Sequence, residues 1–283
     1  MKDNYDNIQT EKPNPRSDGI DRMTPAEQVR VMLDENRAVD EALREASGEI
    51  TAAVELISER MRAGGDLIYV GAGTSGRLGI IDAAECPPTF GVDPGLVRGI
   101  IAGGDGAVFR SAEGAEDSFE GGMNAIDAAG VKSSDVVVGI SASGRAPYVL
   151  GALSRAGIIG AATVGVCCSP GSAMAEKGLC DVCVTAATGP EVIAGSTRLK
   201  AGTATKIILN IFSTCAMINT GRVRGNLMIN VRPSNEKLRE RAVRMIVSVA
   251  GCSAEKAAAA LDSAGDVPGA LSLLEVKNAD GKN

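Results

Sequence analysis

Gly71, Gly73 and Gly76 stand in the spacing G-x-G-x-x-G directly after the apolar run ending at Val70, with a hydroxyl pair, Thr74-Ser75, set between them and Arg77 following. Glycines so spaced let backbone N–H groups close on an anion at the start of a helix. The same chemistry returns in "SASGRAPYV", with Ser141, Ser143, Gly144 and Arg145, and in "GSTRLKAGTATK", with Ser196, Thr197, Arg198, Lys200, Thr203 and Lys206. Three helix starts bearing hydroxyls and cations suit one compact dianion, a phosphomonoester, better than the bridging pyrophosphate of a dinucleotide. A dinucleotide site also wants an acidic residue closing the second strand, and Asp105 comes late for that register. Each loop alone reads equally as an ordinary N-cap and turn; the expectation of a phosphate site rests on all three together.

The chain contains no histidine, so proton transfer falls to Glu, Asp, Lys, Tyr or Cys, and a carboxylate with a raised pKa leads near neutral pH. Glu85 precedes Pro87-Pro88, which are expected to stop the helix that begins near Gly76. On that last turn, the negative end of the helix dipole and apolar neighbours would both raise a carboxyl pKa, which suits a general acid. A second candidate lies in the acidic run Glu113, Glu116, Asp117 and Glu120. Such a run also describes a solvated face, and composition does not choose among the four. Cys180 and Cys183 form a C-x-x-C inside the strand-like "CDVCVTA" and read as core thiols, since no second C-x-x-C and no histidine completes a metal site.

These residues need a scaffold, and the 283-residue chain supplies the material for one sizeable domain with appendages or two small ones. Hydrophobic residues make up 45% and aromatics only 2%, so the core is expected to be Ala, Val, Ile and Leu in tightly packed layers. Five apolar runs, "DLIYV", "VRGIIA", "DVVVGI", "AATVGV" and "DVCVTA", alternate with helical stretches. Runs apolar on both faces belong to a parallel sheet covered on both sides. The expected fold is therefore α/β: a doubly wound, about five-stranded parallel sheet with an N-terminal helical arm and a small C-terminal helical bundle. Boundaries are expected at 1–63, 64–225 and 226–283. Thr24-Pro25-Ala26-Glu27 predicts a capped helix start, and a helix capped by Ser196 or Thr197 should follow Gly195. No strand is expected beyond Asn226.

A net charge of −6 argues against nucleic acid or an anionic membrane surface as partner. With no apolar leader at the N-terminus and no run read as long enough to span a bilayer, the expected location is the cytoplasm.

"GAGTSGRLGIIDAAECPPTFG", "IAGGDGAVFRSAEGAEDS", "SASGRAPYV" and "GPEVIAGSTRLKAGTATK" together resemble the N-acetylmuramic acid 6-phosphate etherases, a bacterial family of the sugar-isomerase (SIS) superfamily. The likeness runs from "TEKPNPRS" to the tail after "GNLMINVRPSNEKL". It implies release of D-lactate from C3 of the phosphorylated sugar by elimination and hydration, with no metal and no redox cofactor. It further implies that Glu85 protonates the departing lactate and then activates water, and that Glu116 takes the C2 proton. Arg77, Arg145 and Arg198 are candidates for the lactyl carboxylate. A small sugar phosphate is the implied ligand. If the helix is unbroken from Gly76, Glu85 lies about 14 Å along it from its own phosphate loop, so it either sits past a bend or serves the site of a second subunit in a homodimer. The rival from another class is a non-enzymatic sugar-phosphate-binding regulatory protein, since the glucokinase regulatory protein shares two of these segments.

Overall fold

In the computed structural model, which describes residues 9–176, 178–230 and 236–280, the five apolar runs form five parallel strands. Three helices lead in: α1 (Pro25–Glu35), α2 (Arg37–Glu45) and α3 (Ser47–Arg62). The start of α1 is the expected capping box, in which the Thr24 hydroxyl accepts from the Glu27 N–H while the Glu27 side chain accepts from the Thr24 N–H. The alternating units follow: β1 (Leu67–Gly71), α4 (Gly73–Phe90), β2 (Val97–Ile101), the single turn α5 (Gly106–Phe109), α6 (Phe119–Ala128), β3 (Val136–Ile140), α7 (Pro147–Ile159), β4 (Ala162–Cys167), the short α8 (Ala173–Glu176), β5 (Val182–Thr185) and α9 (Lys200–Asn219).

Strand order is β2-β1-β3-β4-β5. The chain steps from β1 outward to β2 and then back across to β3, so the direction of winding reverses between β1 and β3. Ligands of open α/β sheets bind at that point, off the strand C-terminal ends. Gly71 and Ile140 are register partners there, which sets the loops after β1 and β3 side by side.

Both faces of the sheet are dry because both are covered. Ile68, Val70 and Val137 pack with Ile126, Val149 and Leu153 of α6 and α7. On the opposite face the Tyr69 hydroxyl donates to Asp82 of α4 (2.9 Å) and to the Leu209 carbonyl of α9 (3.4 Å), both buried. Two glycines make the close fit possible. A Cβ on Gly76 would stand 2.6 Å from Ile101, and one on Gly79 would stand 2.8 Å from Tyr69, so α4 can lie directly on β1 and β2 only with hydrogen at those positions.

Several expectations need correction. Pro87 and Pro88 do not stop α4, which continues to Phe90. They remove two N–H donors, but proline's fixed φ suits a helix, and the Gly91 N–H closes the last turn on the Pro87 carbonyl at 2.9 Å. α9 starts at Lys200, later than Ser196 or Thr197. By length and mean hydropathy (1.3) α9 is also capable of crossing a membrane, against the reading of the sequence, yet more than half of its apolar stretch is buried inside the protein. Cys180 and Cys183 are only partly buried and carry free thiols.

The chain divides into two compact units, one drawn from residues 1–84 and 95–216, the other from 85–94 and 217–283. The second unit contains β6 (Val223–Arg224) and β7 (Leu227–Met228), a two-residue antiparallel ribbon beyond the last expected strand. It also contains α10 (Glu236–Ala250), α11 (Ala254–Ala264) and α12 (Val267–Asp280). Gly265, at φ 81°, closes α11, so the expected C-terminal helical bundle is made of these three helices. Their shared core is small and aliphatic, built around Ile246, Leu261 and Val267.

Candidate active site

A cavity of about 320 Å³ opens at the reversal point between β1 and β3. Gly73, Thr74 and Ser75 line it from the first turn of α4, and Ser141, Ser143 and Arg145 from the loop before α7. The first N–H groups of α4 have no acceptor within the helix, and among the described residues the Thr74 and Ser75 hydroxyls have no hydrogen-bond partner. Gly73 itself turns at φ 52°, where an L side chain is rare. In the second loop the Ser143 hydroxyl accepts from the Arg145 N–H at 3.3 Å and Ser141 from the Ala146 N–H at 3.5 Å, so both are turned toward the helix start. Gly144 is a backbone requirement: it sits at φ 68°, and a Cβ there would stand 2.3 Å from that of Ser172.

The third expected anion loop is built differently. The carboxylate of Glu191, fully buried, accepts from the N–H groups of Lys200 (3.0 Å) and Ala201 (2.9 Å). That caps α9 and occupies its positive end from inside the protein. Lys200, expected on the phosphate, is 1% exposed and pairs with Glu35 at 2.7 Å. Ser196 does not line the cavity, and its N–H donates to the Ile193 carbonyl at 2.9 Å. Thr197 does reach the cavity, beside Gly195.

Among the acidic run, Glu116 and Asp117 line this cavity on a 3₁₀ turn. Glu113 faces a smaller neighbouring hollow of about 170 Å³ with Arg77, and Glu116 borders both. Arg77 is held by the carbonyls of Val108 (2.9 Å) and Ala107 (2.8 Å), which makes it a strut between α4 and α5. Of the three candidate arginines only Arg145 borders the larger cavity; one of its N–H groups donates to the Gly171 carbonyl at 2.8 Å. Asp105 borders neither of these two spaces. Glu85 is exposed on α4 and belongs to the second compact unit.

One lining residue has no counterpart in the sequence reading. Glu11 reaches the cavity from the N-terminal arm. The link that carries it there, from the Gly195 N–H to the Thr10 carbonyl at 2.9 Å, joins residues far apart in the chain, and no local pattern announces it. With Glu116, Asp117 and Arg145 it gives the cavity three carboxylates and one guanidinium among the described residues.

A family model for the N-terminal SIS domain of the glucokinase regulatory protein matches residues 49–157. The chain is 50% identical over 265 residues to an N-acetylmuramic acid 6-phosphate etherase from Rubrobacter xylanophilus, covering 94% of this chain and 87% of the relative. The chain belongs to the N-acetylmuramic acid 6-phosphate etherase family. The family member from Escherichia fergusonii is likewise 50% identical, over 252 residues, with 89% of this chain and 84% of the relative covered. Among solved structures, a phosphoheptose isomerase from Neisseria gonorrhoeae shares the fold at 21% identity, with a TM-score of 0.50 over 68% of this chain and 99% of that one. The family resemblance carried by the glycine loop, the acidic run and the Gly195 segment thus holds across the chain.

Proposed function

We propose that this etherase-family chain cleaves the D-lactyl ether of N-acetylmuramic acid 6-phosphate, giving N-acetylglucosamine 6-phosphate and D-lactate in the recycling of cell-wall sugars. The observation that carries the site assignment is that the unpartnered hydroxyls of Thr74 and Ser75, the Ser141–Ser143 loop and the Glu116 carboxylate all open on one cavity. The 6-phosphate takes the starts of α4 and α7, where N–H groups and hydroxyls offer donors.

The chemistry needs two proton-transfer groups with different duties. Opening of the sugar ring exposes an aldehyde at C1, which makes the C2 hydrogen acidic. Glu116 removes that proton, the electron pair forms a C2–C3 double bond, and the C3–oxygen bond breaks. Glu85 protonates the departing ether oxygen, so lactate leaves as an alcohol. The resulting Glu85 carboxylate then takes a proton from water as it adds at C3, and C2 regains its proton to give the product. Arg145, which lines the cavity, is assigned to the lactyl carboxylate.

Glu85 is proposed to act in the site of a second copy, in a homodimer. Two features support this: its carboxylate is exposed in the single chain, and Ile81, one turn earlier on the same helix, is an apolar side chain 58% exposed. The test is incubation with N-acetylmuramic acid 6-phosphate in D₂O, following lactate enzymatically and C2 deuteration by NMR. Release of lactate with deuterium at C2 is the expected result. Tight binding with neither event would transfer the reading to a sugar-phosphate-binding regulatory protein. Mixing Glu85→Ala and Glu116→Ala proteins should restore part of the activity, and no recovery despite proven subunit exchange would refute the two-chain site.

A further inference from the structure

The N-terminal arm is fastened to the segment that closes the cavity. Asn14 donates to the Pro190 carbonyl at 3.2 Å, the Ser17 hydroxyl donates to the Val192 carbonyl at 2.8 Å, and the Gly195 N–H donates to the Thr10 carbonyl at 2.9 Å. Thr10, Asn14 and Ser17 are all buried. Glu11 projects from this anchored stretch into the cavity, its carboxylate against Gly195: a Cβ on that glycine, which turns at φ 75°, would stand 2.9 Å from Oε2. Among the described residues the Glu11 carboxylate accepts no hydrogen bond and pairs with no cation. Exposed at its tip and fixed at its backbone, this acceptor-only group has no protein partner to give up when a ligand donor replaces water on it.

The chemistry of the cavity selects which donors those are. The dianionic phosphate is drawn to the hydroxyls and N–H groups of the α4 and α7 starts, and the lactyl carboxylate is repelled by Glu11 at short range. What remains is the neutral polar stretch of the sugar, its hydroxyl groups and its acetamido N–H. We infer that Glu11 is a specificity-determining residue that accepts hydrogen bonds from uncharged O–H or N–H groups of the bound amino sugar, and that the arm exists partly to deliver it. The inference rests on the etherase reading above. It makes the arm part of the substrate site, and it excludes from that end of the cavity any sugar carrying an anionic group there.

The test separates Glu11 from the loop it touches. Lactate release by wild type and by Glu11→Ala and Glu11→Gln is measured over a range of substrate, with inorganic phosphate as a competitive probe of the anion end alone. Because hydrogen bonds to charged groups are worth more than neutral ones, Glu11→Ala should raise KM by about tenfold to a hundredfold and leave kcat nearly unchanged, while Glu11→Gln, which keeps one acceptor oxygen, recovers part of the loss. The inhibition constant of inorganic phosphate should stay within about twofold of wild type for both variants, since the anion is assigned to the α4 and α7 starts and not to Glu11. An unchanged KM in Glu11→Ala would overturn the inference. So would a parallel weakening of phosphate inhibition, which would mean that the substitution acts by loosening the Gly195–Thr197 segment. Absence of lactate release from the wild type would instead refute the etherase reading and is scored separately.

Discussion

Replacing Lys200 by Met distinguishes a buried structural cation from a phosphate ligand. Lys200 is 1% and Glu35 3% exposed, with Nζ and Oε2 at 2.7 Å. Removing one member of such a pair leaves a charge stranded in the interior, at a cost of about 3–5 kcal/mol. Asn14 Nδ2 (2.6 Å) and Arg16 remain on Glu35, which puts the loss toward the lower end. Each kcal/mol lowers Tm by about 2–4 °C in a unit of this size, so Lys200→Met should melt about 6–12 °C below wild type. Adding Glu35→Leu removes the stranded charge and should recover much of that loss, as apolar replacements of buried pairs commonly do. The pair also has a pH signature. Burial pushes the Glu35 carboxyl up, but hydrogen bonds from Lys200, Asn14 and Arg16, and the charge of Lys200, outweigh it and hold the carboxyl below its ordinary value. A carboxyl depressed in the folded state stabilises above its unfolded-state pKa and loses that contribution as pH falls through the folded value. The gap in stability between wild type and Glu35→Gln should therefore be full at pH 7 and close below about pH 4. Thermal melts across pH, with lactate release assayed on the same samples, provide the data. A Lys200→Met protein that melts within 2 °C of wild type while its KM for the phosphosugar rises sharply would refute this reasoning and return Lys200 to the phosphate.

Three further outcomes are expected. Glu116→Gln should lose C2 deuteration and lactate release together, and Glu85→Gln should keep slow C2 exchange while lactate release falls by about 10²- to 10⁴-fold; equal loss of exchange in both would erase the division of labour. Gly144→Ala forces a Cβ onto Ser172 at φ 68°, costing on the order of 1–3 kcal/mol in backbone strain alone, and should weaken inhibition by inorganic phosphate; unchanged inhibition would show that the loop tolerates the shift. Burial and the neighbouring Cys167 push the Cys168 thiol up to about 12, so iodoacetamide at pH 8 should spare it in the native protein and modify it in concentrated guanidinium, and labelling at the rate of a free thiol would contradict that environment.

The sheet was legible because its strands are mostly apolar runs, and β1, β3 and β4 are buried from end to end. That two hydroxyl-bearing loops precede α4 and α7 at the cavity was legible for a related reason: their hydroxyls, glycines and helix starts are neighbours in sequence. What escaped were contacts that close over long separations. Ser196 and Thr197 look like caps for α9, but the cap is Glu191, folded back from a preceding turn. Lys200 looks like a phosphate ligand beside a hydroxyl loop, and only the position of Glu35, 165 residues earlier, shows otherwise. Glu11 sits in a polar stretch with no periodicity, and its role depends on where the Gly195 segment lies. The Pro87-Pro88 pair misled because a double proline signals a stop, while both rings still fit the final turns of α4.

The arm that carries Glu11 is made first and seated last. Asn14 and Arg16 can find Glu35 early, but the bond from Asn14 to the Pro190 carbonyl spans 176 residues, and the pair of Glu35 with Lys200 spans 165. All five strands precede Pro190 in the chain, so the sheet can form around the anion loops while the arm is still searching, and closure of that long loop carries a modest but real entropic cost. During synthesis the strands are thus made before the 190–195 segment to which Thr10, Asn14 and Ser17 are bonded. A fusion or tag that pulls on the N-terminus acts on those three links, which hold Glu11 at the cavity, and leaves the hydrogen bonds of the sheet untouched.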